Sequence, residues 1–460
     1  MIEVTSPFDG TLLRTVETKD EAQANAMLDS AVALYKDQDG WLSAAERIAV
    51  LNKLASLMAN EAEELALQIA SEGGKPLIDA RVEVARAIDG VHLAVKELGH
   101  IMSGEEIPMG LTAATVNREA HTVYEPIGVV LALSAFNHPL NLIVHQVVPA
   151  IAVGCPVIVK PASATPLSCL RFCELVQEAG LPEGWVQPIV CSSRVAEMMA
   201  GSDKIAFMAF IGSGGIGWML KSQLAPGVRC ALEHGGVAPV IVHADANLDK
   251  AVPALVKGGF YHAGQVCVSV QRIYAPASLA EDLANKIAAQ ANELVVGDPT
   301  LATTDVGPLI KPGEVKRVTQ WVEEAVAGGA TLVCGGEALS ETTYKPTVLL
   351  NPPAEAMVST EEVFGPVVCI YSYDDVSEAI AAANGLKVAF QSAVWGENIN
   401  EVKDTAKRLD ASAVMINDHT AFRADWMPFA GRRYSGYGIG GIGYTMHDMV
   451  QHKMTVINYN

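Results

Sequence analysis

The chain has 460 residues, half of them apolar and 18% charged, enough for more than one hydrophobic core and too apolar for a disordered polymer. Its net charge of −20 and pI near 5.0 exclude nucleic acid as a partner, because no lysine or arginine cluster offsets the negative field, and oblige any anionic substrate to find a local cation. The start, Met1-Ile2-Glu3-Val4-Thr5, has no basic or apolar leader, and the longest apolar run, residues 142 to 159, is broken by His145, Gln146, Pro149 and Pro156, so the expectation is a cytoplasmic protein with no membrane span.

Along the chain, residues 21–36, 43–72 and 75–99 place apolar side chains at helical spacing and predict an N-terminal helical layer. Residues 113–124 alternate Thr and Val with polar residues and read as a strand pair. Residues 127–133 (strand), 140–153 (helix) and 156–159 (strand) make one βαβ crossover, and strand-like runs at 186–191 and 205–210 extend it to a doubly wound nucleotide-binding half. A second α/β half spans residues 235–417, with strands expected at 237–242, 271–275, 331–334, 367–371 and 392–395. The tail at 454–458 is again strand-like, and outlying strands of this kind often pair across subunits. The expected fold class is α/β, with two doubly wound domains and a small β oligomerisation element. The dinucleotide-binding domain is expected over residues 1–112 and 127–233, the catalytic domain over 234–435, and the oligomerisation strands over 113–126 and 436–460.

Eight cysteines are few for this length and none forms a Cys-x-x-Cys pair, so free thiols are expected. Cys169 and Cys173 stand one helical turn apart but have no neighbouring His or acid, and no metal site is expected. Gly264-Gln265-Val266-Cys267 sets a thiol after a glycine that lets backbone approach closely, which suits a nucleophile near N–H donors; an inert buried cysteine is the alternative. Glu233, 34 positions upstream in Leu232-Glu233-His234-Gly235-Gly236, is a carboxylate in apolar and glycine surroundings, fit for a raised pKa and general-base work, or else a capping or ion-paired residue.

Ala135-Phe136-Asn137-His138-Pro139 follows the first crossover strand, where open α/β sheets bind ligands. There Asn137 either donates to a developing oxyanion or caps the next helix. Lys160 and Ser163 follow the next strand and can face a ribose or phosphate, a solvated lysine being the alternative. Phe210-Ile211-Gly212-Ser213-Gly214 is a strand, a glycine turn and a helix start, suited to a pyrophosphate; the acidic residue of the simplest dinucleotide fingerprint is missing.

Together with Glu361-Glu362-Val363-Phe364-Gly365-Pro366 and Met427-Pro428-Phe429-Ala430-Gly431, these motifs, in this order, resemble the aldehyde dehydrogenase superfamily over nearly the whole chain. Only the first N-terminal strands look shortened. The resemblance implies that Cys267 attacks the aldehyde, that Asn137 and the Cys267 N–H hold the oxyanion, and that Glu233 activates the water that hydrolyses the thioester. It implies NAD or NADP as cofactor, bound by Ala135, Phe136, Lys160, Ser163, Gly212, Ser213, Gly236, Glu362 and Phe364. A CoA-acylating enzyme or a non-catalytic protein on the same fold are the alternatives; the first often lacks the Glu, and the second usually loses one of the three residues.

The departures from the pattern are informative. Strict NAD enzymes of the family commonly carry Glu where Ser163 stands; a hydroxyl does not repel a 2′-phosphate, so NADP is expected to be tolerated. His234 replaces the usual Leu, as packing residue or second base, Val237 a common polar residue, and Ala430 a Gly. The substrate pocket is expected to be lined by His138, Asn141, Val266, Val268, His419, Phe422, Arg423 and Trp426. Its loop looks like that of members oxidising small hydroxy- or acid-bearing aldehydes, such as lactaldehyde or semialdehydes. Arg423 then binds a carboxylate, or pairs with Asp425 or Asp418; Arg81 and Arg86 are further cationic candidates. A homodimer or homotetramer is the expected assembly.

Overall fold

Helix starts are written into the sequence. In the computed structural model, which describes residues 1–459, Asp20 and Ser43 each close a capping box at the head of helices Glu21–Lys36 and Ala44–Asn60. The helical stretch expected over residues 43–72 is two helices, Ala44–Asn60 and Ala62–Gly73. The backbone leaves helical geometry at Glu61, whose carboxylate is taken by Arg171 at 2.6 Å on a neighbouring helix. Helix Leu77–Ile101 buries Ala80, Val84, Ala87, Val91 and Ala94 and packs against helix Asn141–Val153. The approach is close enough that a Cβ on Gly90 would stand 3.1 Å from Val144.

Two parallel sheets form the body. The first has six strands in the order Gly436–Tyr437, Arg229–Glu233, Phe207–Ile211, Val130–Leu133, Val157–Lys160 and Val186–Pro188, all parallel except the first. Its central strand Val130–Leu133 is wholly buried, as expected where helices cover both faces. The second has seven strands, ordered Thr331–Cys334, Thr347–Leu350, Val367–Tyr373, Arg272–Pro276, Pro239–Val242, Gln391–Trp395 and Ala413–Ile416, with only the first pair antiparallel. Each sheet carries its own large apolar cluster; a fully buried Val, Leu or Ile within one contributes about 1.5–3 kcal/mol.

Registers decide where side chains emerge. Leu133 lies level with both Lys160 and Phe210, and Ile211 is level with Glu233. The loops after these strands therefore open on one edge, at the point where strand order reverses about Val130–Leu133.

The outlying segments differ from expectation. Residues 113–124 are not a strand pair: turns precede a single strand, Arg118–Pro126. That strand pairs antiparallel with the C-terminal Val450–Asn458 in the same chain, from Pro126↔Val450 to Arg118↔Asn458, because two nine-residue strands match over their full length. Glu106–Ile107 adds a short third strand. Within the tail read as oligomerisation strands, Gly436–Tyr437 instead joins the first large sheet and helix Ile442–Asp448 packs on Leu77–Ile101 and Asn141–Val153. No helix among the described residues is long and apolar enough to cross a membrane.

Candidate active site

A cleft of about 620 Å³ runs along the open edge of the first sheet toward the second. Cys267, Glu233 and Asn137, far apart in the chain, all line it, as do Ala135, Phe136, His138, Asn141, Gly212, Ser213, Val266, Val268, Glu362, Phe364 and Arg423.

The thiol is delivered by an unusual piece of backbone. His262, Ala263 and Gly264 take positive φ values of 48°, 54° and 71° in succession. A side chain at Gly264 would collide with the Gly365 carbonyl. Two non-glycine residues in left-handed geometry cost on the order of 1–2 kcal/mol each, a strain that helix Leu248–Phe260 and the Gly365 turn hold in place. Gln265 then ties the loop down: its Oε1 accepts from Ile310 N at 2.9 Å and its Nε2 donates to the Pro308 carbonyl at 3.2 Å. Asn137 Nδ2 donates to the Gln265 carbonyl at 2.9 Å, leaving its second N–H for the cleft. The helix-capping alternative for Asn137 is not met, because Glu83 takes the N–H groups of Leu140 and Asn141 at 3.0 and 3.1 Å.

Burial disfavours the charged form of both reactive groups. Burial, then the negative Glu233 and Glu362, push the Cys267 thiol well above its ordinary value. Burial pushes Glu233 up to about 7, against the pull of Arg423. The capping or ion-paired alternative for Glu233 finds no partner here, since no salt bridge reaches it among the described residues.

Among the described residues, three guanidinium groups line the cleft: Arg86 is paired with Asp425 and Arg317 with Glu314, whereas Arg423 has no carboxylate partner. Its Nη1 donates to the Met427 carbonyl at 2.8 Å and the guanidinium lies 4.3 Å over the Phe429 ring. Burial brings its pKa down to about 10, still a full charge at neutral pH. Asp425 is not its ion-pair partner: Arg86 grips that carboxylate through two bonds at 2.7 and 3.0 Å and His145 adds a third at 2.8 Å. Asp418 accepts from the His419 backbone N–H. Arg81 is spent on Glu63 at an exposed site away from the cleft.

The other expected lining residues divide. His419, Phe422 and Trp426 do not line the cleft; Phe422 and Trp426 point to solvent at 46% and 70% exposure, and Ala421 and Phe429 take their places. Lys160 and Ser163 do not line the cleft, although Ala162 between them in the chain does; the Lys160 ammonium donates to the Pro161 carbonyl at 3.1 Å. Gly236 lies behind Gly235, its N–H donating to the Cys267 carbonyl at 3.2 Å. His234 donates from Nδ1 to the Gly212 carbonyl at 2.9 Å and packs edge-on to Phe210, with room only because Gly217 has no side chain. It also lines the cleft, and its Nε2 is buried without a hydrogen-bond partner. Arg86, one of the two further cationic candidates, lines the cleft, and so do His145, Arg317 and Tyr261, which the sequence had not singled out as its walls. For His145 the signal was a polar residue in an otherwise apolar run; for Arg317, on a surface-patterned helix, there was none.

The cofactor wall suits a dinucleotide. The Ser213 hydroxyl precedes helix Gly214–Ser222 without capping it, so the first N–H groups and the hydroxyl are free for a phosphate. Glu362 Oε1 is buried without a partner, and burial raises its pKa to about 8, a polar group awaiting a hydroxylated ligand. Phe136 and Phe364 meet edge to face at 5.8 Å beside it.

A family model described as "Aldehyde dehydrogenase family" matches residues 1–455. The chain belongs to the aldehyde dehydrogenase family. It is an NAD(P)-dependent oxidoreductase acting on aldehydes. It is 36% identical to a 3-sulfolactaldehyde dehydrogenase of Priestia aryabhattai over 447 residues, 96% of this chain and 92% of that one. Among solved structures, aldehyde dehydrogenase 21 of Physcomitrella patens, in complex with the reaction product succinate, superposes with a TM-score of 0.94 at 35% identity, covering 99% of this chain and 95% of that one. A glyceraldehyde-3-phosphate dehydrogenase GapN of Methanocaldococcus jannaschii complexed with NADP does so at 0.94 and 33%, covering 100% and 99%.

Proposed function

We propose that this aldehyde dehydrogenase oxidises small aldehydes bearing an anionic group to carboxylic acids, through a thioester on Cys267. The observation that carries the reading is the guanidinium of Arg423, on the same cleft as Cys267, Glu233 and Asn137 and with no carboxylate paired to it.

In this reading Glu233 accepts the thiol proton as Sγ bonds to the carbonyl carbon, and the C=O electron pair moves onto oxygen. The free N–H of Asn137 and the backbone N–H of Cys267 donate to that oxygen. The bound nicotinamide supplies the hydride acceptor. Once Glu233 has passed that proton to solvent, its carboxylate takes a proton from a water that attacks the thioester carbon; the C–S bond breaks and the proton on Glu233 returns to the leaving sulfur, which restores the thiol. Retention of Glu233 speaks for water rather than coenzyme A as acceptor of the acyl group.

Ser163, which puts no carboxylate against a 2′-phosphate, supports use of NADP as well as NAD. The proposed division is a dinucleotide-binding domain around the six-stranded sheet and a catalytic domain around the seven-stranded one. The exposed Met454, Val456 and Ile457 on strand Val450–Asn458 support a homodimer or tetramer built through that sheet. Eight free thiols fit a reducing, cytoplasmic setting.

The test is reduced-nicotinamide absorbance with NADP and 4-oxobutanoate. Wild type should turn over, whereas Cys267→Ala should bind cofactor and produce none; undiminished turnover by Cys267→Ala would refute the thioester mechanism.

A further inference from the structure

His138 follows Asn137 on the cleft wall, and the chemistry above gives it no work. We infer that His138 is a specificity residue, an imidazole fixed as the Nε2–H tautomer that donates to an oxygen on the substrate chain between the aldehyde and its anionic end. The enzyme then prefers hydroxylated aldehydes to their deoxy counterparts. This rests on the proposed use of anionic aldehydes.

The tautomer is dictated from behind. Lys75 and Glu83 form an ion pair with both side chains at 0% exposure. The Lys75 ammonium also stands 2.7 Å from His138 Nδ1. An ammonium has only protons to give, so Nδ1 must offer its lone pair and the ring proton sits on Nε2. Glu83 Oε2, at 3.4 Å from Nδ1, is too far to compete. Glu83 Oε1 meanwhile accepts from the N–H groups of Leu140 and Asn141, which anchors the loop carrying the imidazole to the head of helix Asn141–Val153. Lys75 and Glu83 are thus positioning residues.

The other end of the ring is free. Nε2 bonds to no described residue and is not among the buried unpartnered atoms, so it opens to the cleft that His138 lines. Burial and the Lys75 charge bring the imidazole pKa down to about 4, and no second proton adds charge there at neutral pH. A single uncharged N–H cannot rival Arg423 for a carboxylate or sulfonate. It suits one hydroxyl oxygen, and a wall built to meet such a group discriminates against the analogue lacking it.

The experiment compares kcat/KM for 3-hydroxy-4-oxobutanoate and 4-oxobutanoate, with NADP, in wild type, His138→Phe and His138→Gln. The wild-type ratio should be about tenfold or more in favour of the hydroxylated aldehyde. It should fall to about one in His138→Phe and stay several-fold in His138→Gln, whose amide still donates. It should fall in Lys75→Met as well, where nothing dictates the tautomer. A wild-type ratio near one, which needs no variant to fold, or a ratio unchanged in His138→Phe, would overturn the assignment. Turnover of 4-oxobutanoate without hydroxyl preference sinks the His138 role alone, and no turnover of either aldehyde sinks the anionic-substrate reading with it.

Discussion

Lys75→Met tests the buried network on which the cleft wall stands. The substitution keeps the bulk of the side chain and removes the lysine paired with Glu83, a carboxylate at 0% exposure. Burial opposes that carboxylate, and the charge of Lys75 holds it well below the usual carboxylate range. Breaking a buried pair by removing one partner costs about 3–5 kcal/mol. With a urea slope of about 3 kcal/mol/M or more for a chain this long, the unfolding midpoint should drop by about 1 M. Adding Glu83→Gln should recover part of the loss, because the amide oxygen still accepts from Leu140 and Asn141 without a buried charge. The sign of the pH dependence follows. In wild type the depressed Glu83 contributes stability above its unfolded value near 4.5, lost only as pH falls through the lower folded value. In Lys75→Met the unpaired carboxylate is raised by burial, so its cost grows with pH and the deficit should be larger at pH 8 than at pH 6. Urea titration followed by tryptophan fluorescence at both pH values measures this. A single variant within about 0.5 kcal/mol of wild type, or a double variant less stable than the single, would mean that Glu83 does not depend on Lys75 for its charge.

Three further outcomes are expected. Turnover should rise with pH through about 7, as the Glu233 carboxylate forms, and Glu233→Gln should lower kcat by about 10²–10⁴-fold and abolish that limb in a steady-state pH profile. Arg423→Leu should raise KM for 4-oxobutanoate by about 10–100-fold, the worth of one charge-assisted hydrogen bond, while propanal, with no anion, should change far less; equal effects on both would make Arg423 structural. A chain ending at residue 449 should sediment as a smaller species than wild type if strand Val450–Asn458 builds the oligomer, and an unchanged sedimentation coefficient would remove that strand from the interface.

The body of the fold was legible because buried parallel strands advertise themselves. The runs at 127–133, 156–159, 205–210 and 237–242 correspond to Val130–Leu133, Val157–Lys160, Phe207–Ile211 and Pro239–Val242. Thr347–Leu350 and Ala413–Ile416, each only four residues long, were missed. Cys267, Glu233 and Asn137 share one cleft: Glu233 ends a strand of the first sheet, Asn137 follows the neighbouring Val130–Leu133, and Cys267 follows the turn Tyr261–Gly264. Lys75 and Glu83 could not be read this way. Eight residues apart at the start of a helix they look like solvated surface charges, and only the packing of Leu77–Ile101 on Asn141–Val153 buries them.

That hidden network explains why a chain of net charge −20 can offer an anion a favourable wall. Every other charge around the substrate end is already answered. Lys75 is neutralised by Glu83 and Arg86 by Asp425, with His145 on the same carboxylate. Near neutral pH Glu233 is close to half protonated and the Cys267 thiol keeps its proton, so neither cancels Arg423 in full. One guanidinium therefore stands as the net charge of a site with little water to screen it, where Coulomb attraction is several-fold stronger than in bulk. Its direction opposes the field of the whole protein, so added salt has two opposite effects: it screens the long-range repulsion of an approaching anion more than the buried contact that captures it. For an anionic aldehyde kcat/KM should hold steady or rise between about 0.01 and 0.15 M salt, and a steep fall over that range would mean that the surface, rather than Arg423, gathers the substrate.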